Sequence, residues 1–214
     1  MKYLILLFIL FFCFSSQAQT PFVKEKRDYI WLLGYDSGST NPFLGGTRLD
    51  FNSSSLLVSS EYHELNLDIT NASVCDTSGA LLFYTNGIEI HNALHQMMEN
   101  GNGLNPDPYT QQWVNIGYNL YQGALILPFP GNTELFYQFH TERTTFPDWL
   151  NGDFYIVHKL YLTKIDFSQD TLGKVLSKNE VLISDTLDYG KTTAVRHANG
   201  RDWWILQQEY FSNR

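Results

Sequence analysis

Short runs of β-branched and aromatic residues recur along almost the whole chain, and each run is bounded by Gly, Asn, Asp or Pro. Such runs predict β-strands, because branched and aromatic side chains pack well on a pleated surface while the bounding residues favour turns. Helical periodicity is nearly absent, so the sequence predicts an all-β fold. The predicted strands lie at 29–35, 81–85, 88–91, 124–127, 135–140, 154–166, 174–183, 194–197 and 203–208.

Three segments have the form of a hairpin, with a strand, a tight polar turn and a second strand rich in apolar or aromatic residues: 74–85, 125–137 and 195–206. Their turns contain Gly79, Gly131 and Gly200, and at Gly79 we expect a positive φ. The intervals between these turns are loosely regular and suit four-stranded propeller blades of about 40 to 50 residues with insertions. An immunoglobulin-like sandwich is the competing interpretation, but it would place its strands every 8 to 12 residues without such recurrence.

Three hairpins predict about three four-stranded blades, whereas closed propellers typically carry four to eight. We therefore expect a partial, open β-propeller whose ring does not close. On this interpretation the chain is the front part of a longer protein, truncated before its remaining blades, and those blades would be its partners.

The composition narrows the classes of partner. A net charge of −8 with no compensating basic run argues against a nucleic-acid partner or an anionic membrane surface. Aromatic residues make up 15% of the chain, which is typical of proteins built from many half-buried strands. Extracellular protein or glycan remains the expected partner class.

The first 18 residues have the layout of a secretory signal peptide. Lys2 is followed by the apolar run 3–14 and then by small and polar residues up to Ala18. About a dozen apolar residues are too few for a helix of roughly 20 residues that crosses a bilayer, so no membrane span is expected in the mature chain. We predict a cleavable signal peptide at 1–18, an incomplete propeller domain at 19–214 and a secreted or cell-surface location.

Cleavage would remove Cys13 and leave Cys75 as the one cysteine of the mature chain, so an intrachain disulfide is not expected. Lipidation at Cys13 is disfavoured because the bulky Phe11 and Phe12 precede it where small residues are needed. Cys75 lies in an apolar-flanked stretch and is predicted to fill core space rather than to react.

Several segments resemble the N-terminal β-propeller region of large secreted surface proteins of Bacteroidetes. The most specific is DTSGALLFYTNG at 76–87; the others lie at 31–34, 46–51, 98–101, 122–128 and 198–204. In that group the propeller is often followed by PKD-like modules and a C-terminal sorting domain of the type IX secretion and gliding-motility class. The resemblance implies a non-catalytic surface module, although this chain has no recognisable PKD-like module or sorting domain.

His91, His95 and Glu99 form the sharpest candidate site, because their spacing would place them on one face of a helix. Two imidazoles and a carboxylate can bind zinc. The one plausible helical turn covers 93–99, however, and His91 ends the predicted strand 88–91, which removes it from that face. The metalloprotease pattern His-Glu-x-x-His is also missing. We therefore predict that His91 and His95 are not metal ligands but part of a loop between blade strands.

Two other patterns suggest catalysis only weakly. Glu61, Glu64 and Asp68, with His63 among them, could supply a carboxylate pair for glycosidic hydrolysis, but nothing in the sequence sets their separation. The segment 34–38 resembles a nucleophile elbow with its serine one position late, so a serine hydrolase is not expected.

Acidic residues in predicted turns are Asp36, Asp50, Asp76 and Asp107. Their carboxylates could bind Ca²⁺ in propeller loops, yet turn capping is the more ordinary use of such residues. We predict no cofactor, with Ca²⁺ as the alternative.

The sequence thus predicts a non-catalytic extracellular β-propeller module for adhesion or for glycan or protein binding, with no catalytic, cofactor or metal residue assigned. The alternative is a secreted propeller hydrolase, a glycosidase or phosphoesterase, with an axial carboxylate or Ca²⁺ site. Convergence of three or more of the candidate side chains within about 5 Å at the blade axis would favour the hydrolase, whereas dispersal would favour the module. Those candidates are Glu61, His63, Glu64, Asp76, His91 and His95.

Overall fold

A computed structural model describes residues 25–35, 39, 41, 44–146 and 154–213. In this part of the chain the regular elements are β-strands and one short 3-10 helix, Thr110–Gln112, so the predicted all-β class is confirmed. The signal segment 1–18 and Asp36 lie outside the described residues. The strands are β1 Ile30–Tyr35, β2 Gly45–Asp50, β3 Leu57–Ser60, β4 Ala72–Cys75, β5 Leu81–Thr85, β6 Ile90–Asn92, β7 Ala124–Pro128, β8 Leu135–Thr141, β9 Thr144–Phe146, β10 Phe154–Asp166, β11 Lys174–Leu187, β12 Thr193–Arg196 and β13 Trp203–Leu206.

The described strands form four small antiparallel sheets, and none of them is closed. The sheets follow the chain as β1–β2–β3, β4–β5–β6, β7–β8–β10–β11 and β12–β13, with β9 pairing the start of β10. Apart from β9, each strand pairs with the next strand of its sheet along the chain, because short connections can join antiparallel strands.

All three predicted hairpins are confirmed. They are the pairs β4–β5, β7–β8 and β12–β13. Gly79, Gly131 and Gly200 adopt φ values of 97°, 77° and 73°, in the left-handed region that glycine enters without steric cost. The nine predicted strands are all present, and four further strands, β2, β3, β4 and β9, lie outside those runs, although the first predicted hairpin marks β4.

The expected four strands per repeat occur in only one sheet. The first two sheets stop at three strands, because β3 leads into an irregular segment and β6 leads into a turn-rich stretch with the 3-10 helix. The path β7–β8–β10–β11 is the one that has the predicted four-strand form.

The predicted helical turn at 93–99 is wrong. The Asn92 side-chain oxygen accepts hydrogen bonds from the backbone amides of Leu94 and Gln96, at 2.9 and 3.2 Å. His95 has a φ of 60°, and an antiparallel bridge joins His91 to Met97. An Asn side chain that takes the amides of the following residues competes with helix formation, so the segment forms a turn.

The apolar core lies between successive sheets. Ile30, Leu32, Cys75 and Tyr84 belong to a cluster between the first and second sheets. Between the second and third sheets, Phe83, Phe136 and Phe167 form an aromatic cluster with ring centroids 5.5 to 5.8 Å apart. A third cluster, around Leu127, Phe139 and Leu160, packs against Trp203 and Ile205 of the last sheet. Complete burial of one such side chain contributes about 1.5 to 3 kcal/mol.

Cys75 lies inside this core, as predicted. It is fully buried and free, and burial raises the pKa of its thiol to about 11. Its backbone amide donates to the Arg27 carbonyl oxygen at 2.8 Å, and the hydroxyl of Ser73 donates to the Ile30 carbonyl oxygen at 2.7 Å. The second sheet is therefore joined to the segment that contains β1 by hydrogen bonds as well as by apolar contact.

Candidate functional site

The site begins at a close crossing of two backbone segments. After β3 the chain passes directly over Gly46 of β2, where the Glu61 amide donates to the Gly46 carbonyl oxygen at 3.0 Å. A Cβ at Gly46 would lie 2.0 Å from the Glu61 carbonyl oxygen and 2.7 Å from His63 Nε2. Only glycine fits this position, and the close approach brings Glu61 and His63 towards the second sheet.

Glu61 lies at the centre of a chain of polar contacts. Its two carboxylate oxygens are 3.2 and 3.1 Å from Arg48 Nη1, and Oε1 is also 3.1 Å from His95 Nε2. The other imidazole nitrogen, Nδ1, is 3.1 Å from the hydroxyl of Tyr84 on β5. Because a carboxylate only accepts, His95 donates through Nε2–H, and Nδ1 accepts from the tyrosine hydroxyl. Both nitrogens of His95 are thus engaged.

Tyr84 is fully buried, and burial with the nearby Glu61 and Glu64 carboxylates raises the pKa of its hydroxyl well above the usual range. The phenol therefore stays protonated at neutral pH and donates to His95. The chain Arg48–Glu61–His95–Tyr84 fixes the orientation of the exposed imidazole edge; it does not generate a nucleophile.

His63 packs against both of the other rings, which also contact each other with 5.7 Å between their centroids. Its centroid is 5.7 Å from that of His95 in a stacked arrangement and 5.5 Å from that of Tyr84 edge-on. Nδ1 donates to the Leu65 carbonyl oxygen at 2.8 Å, while the buried Nε2 has no partner among the described residues. Burial lowers the pKa of His63 below 6.5, so the ring is neutral at pH 7.

His91 on β6 faces the other side of Tyr84, with 5.8 Å between the ring centroids. Its Nε2 is 3.4 Å from the Glu89 carboxylate, and its buried Nδ1 has no partner within the described part of the chain. Two neighbouring histidines therefore carry a buried nitrogen without a hydrogen bond.

An open cleft of about 690 Å³ lies over this cluster. Its walls combine exposed apolar or aromatic side chains with planar polar ones, and none of the described lining residues is Lys or Arg. The lining residues are Tyr62, His63, Glu64, Leu65, Asn66, Asn86, Glu89, His91, Leu94, His95, Gln96, Met97, Val114 and Asn115.

Most of the residues singled out in the sequence meet here, in an unexpected arrangement. Glu61, His63 and His95 are in direct contact, and His91 and Glu64 line the same cleft. The helical face that His91, His95 and Glu99 would share does not form, because His91 lies on β6 and His95 in a left-handed turn. Among the described residues, no group of three or more His, Cys, Asp or Glu side chains is placed to hold a metal ion.

The acidic turn residues in the described part of the chain, Asp50, Asp76 and Asp107, cap their own turns, and Asp50 also pairs with Arg48 at 3.4 Å. Asp76 Oδ1 accepts from the amides of Ser78, Gly79 and Ala80 at 2.8 to 3.0 Å. Asp50 accepts from the Asn52 amide at 2.9 Å, and Asp107 accepts from Thr110 at 3.0 Å. Asp76 is therefore the one member of the six candidate residues that contributes neither to the polar chain nor to the cleft.

Sequence reasoning missed Gly46, Arg48 and Tyr84. Arg48 and Gly46 lie on β2, which carries little strand signal, and Tyr84 looks like an ordinary strand aromatic. The alternation of residues along 81–85 is the signal that places Tyr84 on the face opposite Phe83.

No protein-family model, curated protein or solved structure matches this chain. Within the described residues, no helix has the length and apolar character needed to cross a membrane.

Proposed function

We propose that the chain is part of an extracellular β-propeller and that the cleft over Tyr84 binds a glycan. In this proposal the four sheets are successive blades, as in the secreted Bacteroidetes surface proteins that the sequence resembles. The contacts support it, because β1 touches β4 and β4 touches β7, so the first strands of three successive sheets are neighbours. Propeller blades have this relation around their axis.

The residues that line the cleft are the reason for proposing a glycan as the ligand. Tyr62 is 63% exposed and offers an aromatic face against which the C–H face of a sugar ring can pack. Asn66, Gln96 and Asn115 supply amides that pair with hydroxyl groups as donors or acceptors, and Glu89 supplies acceptors. A cleft with one aromatic wall and several planar polar groups suits a polyhydroxylated ligand better than an apolar one.

The polar chain beneath the cleft supports binding rather than turnover. His95, with both nitrogens occupied by Glu61 and Tyr84, is held in one tautomer and one orientation. A ring held in place in advance offers a fixed surface against which a sugar can pack, and this reduces the entropy lost on binding.

Binding of a panel of neutral oligosaccharides to the purified chain, followed by titration calorimetry on the tightest binder, tests the proposal. Tyr62→Ala should weaken binding about tenfold, because an aromatic contact contributes about 1.5 kcal/mol. The matched control is Tyr121→Ala, since Tyr121 is 69% exposed and does not line the cleft. Equal losses in both variants, or no saturable binding to any glycan, would contradict the proposal.

A secreted hydrolase is the second candidate, because Glu61 contacts His95, the His63 ring stacks on that of His95 with 5.7 Å between centroids, and Glu64 and Glu89 both line the cleft. Two carboxyl groups beside one glycosidic bond are the usual machinery of glycoside hydrolysis. Release of new reducing ends from a bound glycan, abolished by Glu64→Gln or Glu89→Gln, would replace the binding module with this function. An unchanged glycan after prolonged incubation supports the module.

A further inference from the structure

A second, smaller cleft of about 310 Å³ lies between two hairpin turns and the segment that precedes β1. The β7–β8 turn contributes Gly131, and the β12–β13 turn contributes Gly200 and Arg201. A Cβ at Gly131 would lie 3.8 Å from Arg201 Cδ, so the two turns are close neighbours. This cleft shares no lining residue with the cleft over Tyr84.

Arginine is concentrated at this cleft. The whole chain has six arginines, and three of them, Arg27, Arg196 and Arg201, line it. Glu25 is the one carboxylate among the lining residues, and Asp202 pairs with Arg201 at 2.8 Å. Three guanidinium groups beside two carboxylates leave an excess of one positive charge in a chain whose net charge is −8.

Arg27 has hydrogen-bonding capacity that the described protein leaves unused. Its side chain is only 12% exposed, its guanidinium lies over the Phe136 ring at 5.3 Å, and Nε donates to Glu25 at 2.7 Å. Nη1 is buried and has no hydrogen-bond partner among the residues that the structure describes. A buried guanidinium N–H without an acceptor is costly, and an anionic oxygen is the acceptor that would offset this cost most strongly.

The other two arginines are held in place by their own turn. The Arg196 guanidinium lies over the Trp203 ring at 4.9 Å and donates to the Gly200 carbonyl oxygen at 3.4 Å. Arg201 directs Nε and Nη2 to Asp202 and is 65% exposed in its side chain. Stacking and ion pairing restrict both side chains, so little further entropy is lost when they bind a ligand.

We propose that this cleft binds one oxyanion group, a carboxylate or a sulfate, between Arg27 and the arginines of the β12–β13 turn. The planar fork of arginine matches two oxygens of such a group, and the small volume suits a single anionic substituent rather than a long chain. The site is independent of the proposed glycan cleft, because the two have no residue in common.

Titration calorimetry of the purified chain with sodium sulfate and with sodium glucuronate tests the proposal. Sodium chloride keeps the ionic strength constant, and glucose serves as the uncharged counterpart of glucuronate. We expect saturable binding of sulfate, glucuronate or both, and no binding of glucose. Arg201→Gln should weaken binding at least about threefold, because its charge-assisted contact is exposed to solvent, and Arg27→Gln should weaken it about tenfold or more, because its charge-assisted contact is largely buried.

Lys191→Gln is the matched control, because it removes one exposed positive charge near the opposite end of the β12–β13 sheet. Arg201→Gln alters an exposed side chain and keeps the test valid even if Arg27→Gln fails to fold. A further titration with sodium acetate separates two sources of the carboxylate. Tighter binding of glucuronate than of acetate would identify the natural anion as part of a sugar, whereas equal binding would identify a free carboxylate. No saturable binding of either anion, or equal losses in Arg201→Gln and Lys191→Gln, would overturn the proposal.

Discussion

Gly46→Ala probes the backbone crossing on which the candidate site depends. The added methyl group would lie 2.0 Å from a backbone oxygen of Glu61 and 2.7 Å from the buried His63 ring. Neither neighbour is the flexible end of a side chain, so the β2 backbone and the segment after β3 must separate. Separation would also weaken the hydrogen bond from the Glu61 amide to the Gly46 carbonyl oxygen.

The size of the effect follows from these two losses. Forcing extra volume into a packed site costs about 1 to 3 kcal/mol, and one lost backbone hydrogen bond costs about 0.5 to 1.5 kcal/mol. We therefore expect Gly46→Ala to lower the free energy of unfolding by about 2 to 4 kcal/mol. The same displacement would pull Glu61 away from His95, so glycan binding in the cleft should weaken as well.

Urea unfolding of Gly46→Ala and of Gly103→Ala distinguishes stability lost through steric contact from stability lost through backbone strain. Gly103 has a φ of 71°, but no atom of the described residues lies within 4 Å of the position its Cβ would take. Its substitution should cost about 1 kcal/mol from the left-handed backbone alone. Gly46 has no positive φ, so its larger cost would come from the crossing. A loss at Gly46 no greater than that at Gly103 would refute this reasoning.

Three further predictions concern stability and reactivity. Gly79→Val should lower the free energy of unfolding, measured in urea, by about 1 to 3 kcal/mol, because Gly79 has a φ of 97° and a Cβ would lie 2.1 Å from the Asn52 side-chain oxygen. Unchanged stability would contradict the turn geometry. Cys75 should stay unlabelled by a thiol reagent at pH 8 in the folded chain and react fully in urea, because burial raises the pKa of its thiol to about 11. Rapid labelling of the folded chain would contradict the burial of Cys75. The free energy of unfolding should be highest above pH 6.5 and fall as the pH drops from 6.5 to 5, because burial lowers the pKa of His63 and lowers that of His140 to about 3. The unfolded chain then binds protons that the folded chain excludes, so the free energy of unfolding falls by up to about 1.4 kcal/mol per pH unit for each histidine. A flat profile over this range would show that neither ring is buried in its neutral form.

The sequence predicts some strands to the residue and misses others, and the difference follows from their composition. The apolar and aromatic run 81–85 and the long run 154–166 coincide with β5 and β10. Strand β2 opens with two glycines and contains one apolar residue, Leu49, among polar ones, while all four residues of β3 are exposed. Both are strands because β2 pairs with β1 and β3 pairs with β2, which is a tertiary effect that overrides weak local propensity.

The sequence predicts which residues are candidates for the site but not how they are arranged in space. Glu61, His63, His91 and His95 are all visible in the sequence as candidates, and their spacing suggested two unrelated segments. They meet because the chain crosses Gly46 and because Asn92 turns the segment after β6 away from a helix. Neither contact leaves a periodic pattern in the sequence, because each depends on residues brought together only in the folded chain.

The histidine side chains offer the most direct measurement of the central claim, that the cleft over Tyr84 binds a glycan. The chain has six histidines, and only His63, His91 and His95 line this cleft. Nitrogen NMR spectra of the imidazoles, recorded while the tightest-binding oligosaccharide is added, compare them with the histidines at 140, 158 and 197 in the same sample. If the glycan binds in this cleft, the three cleft histidines shift together and saturate with one dissociation constant while the other three stay fixed. Saturable binding that leaves the cleft histidines unmoved would contradict the central claim.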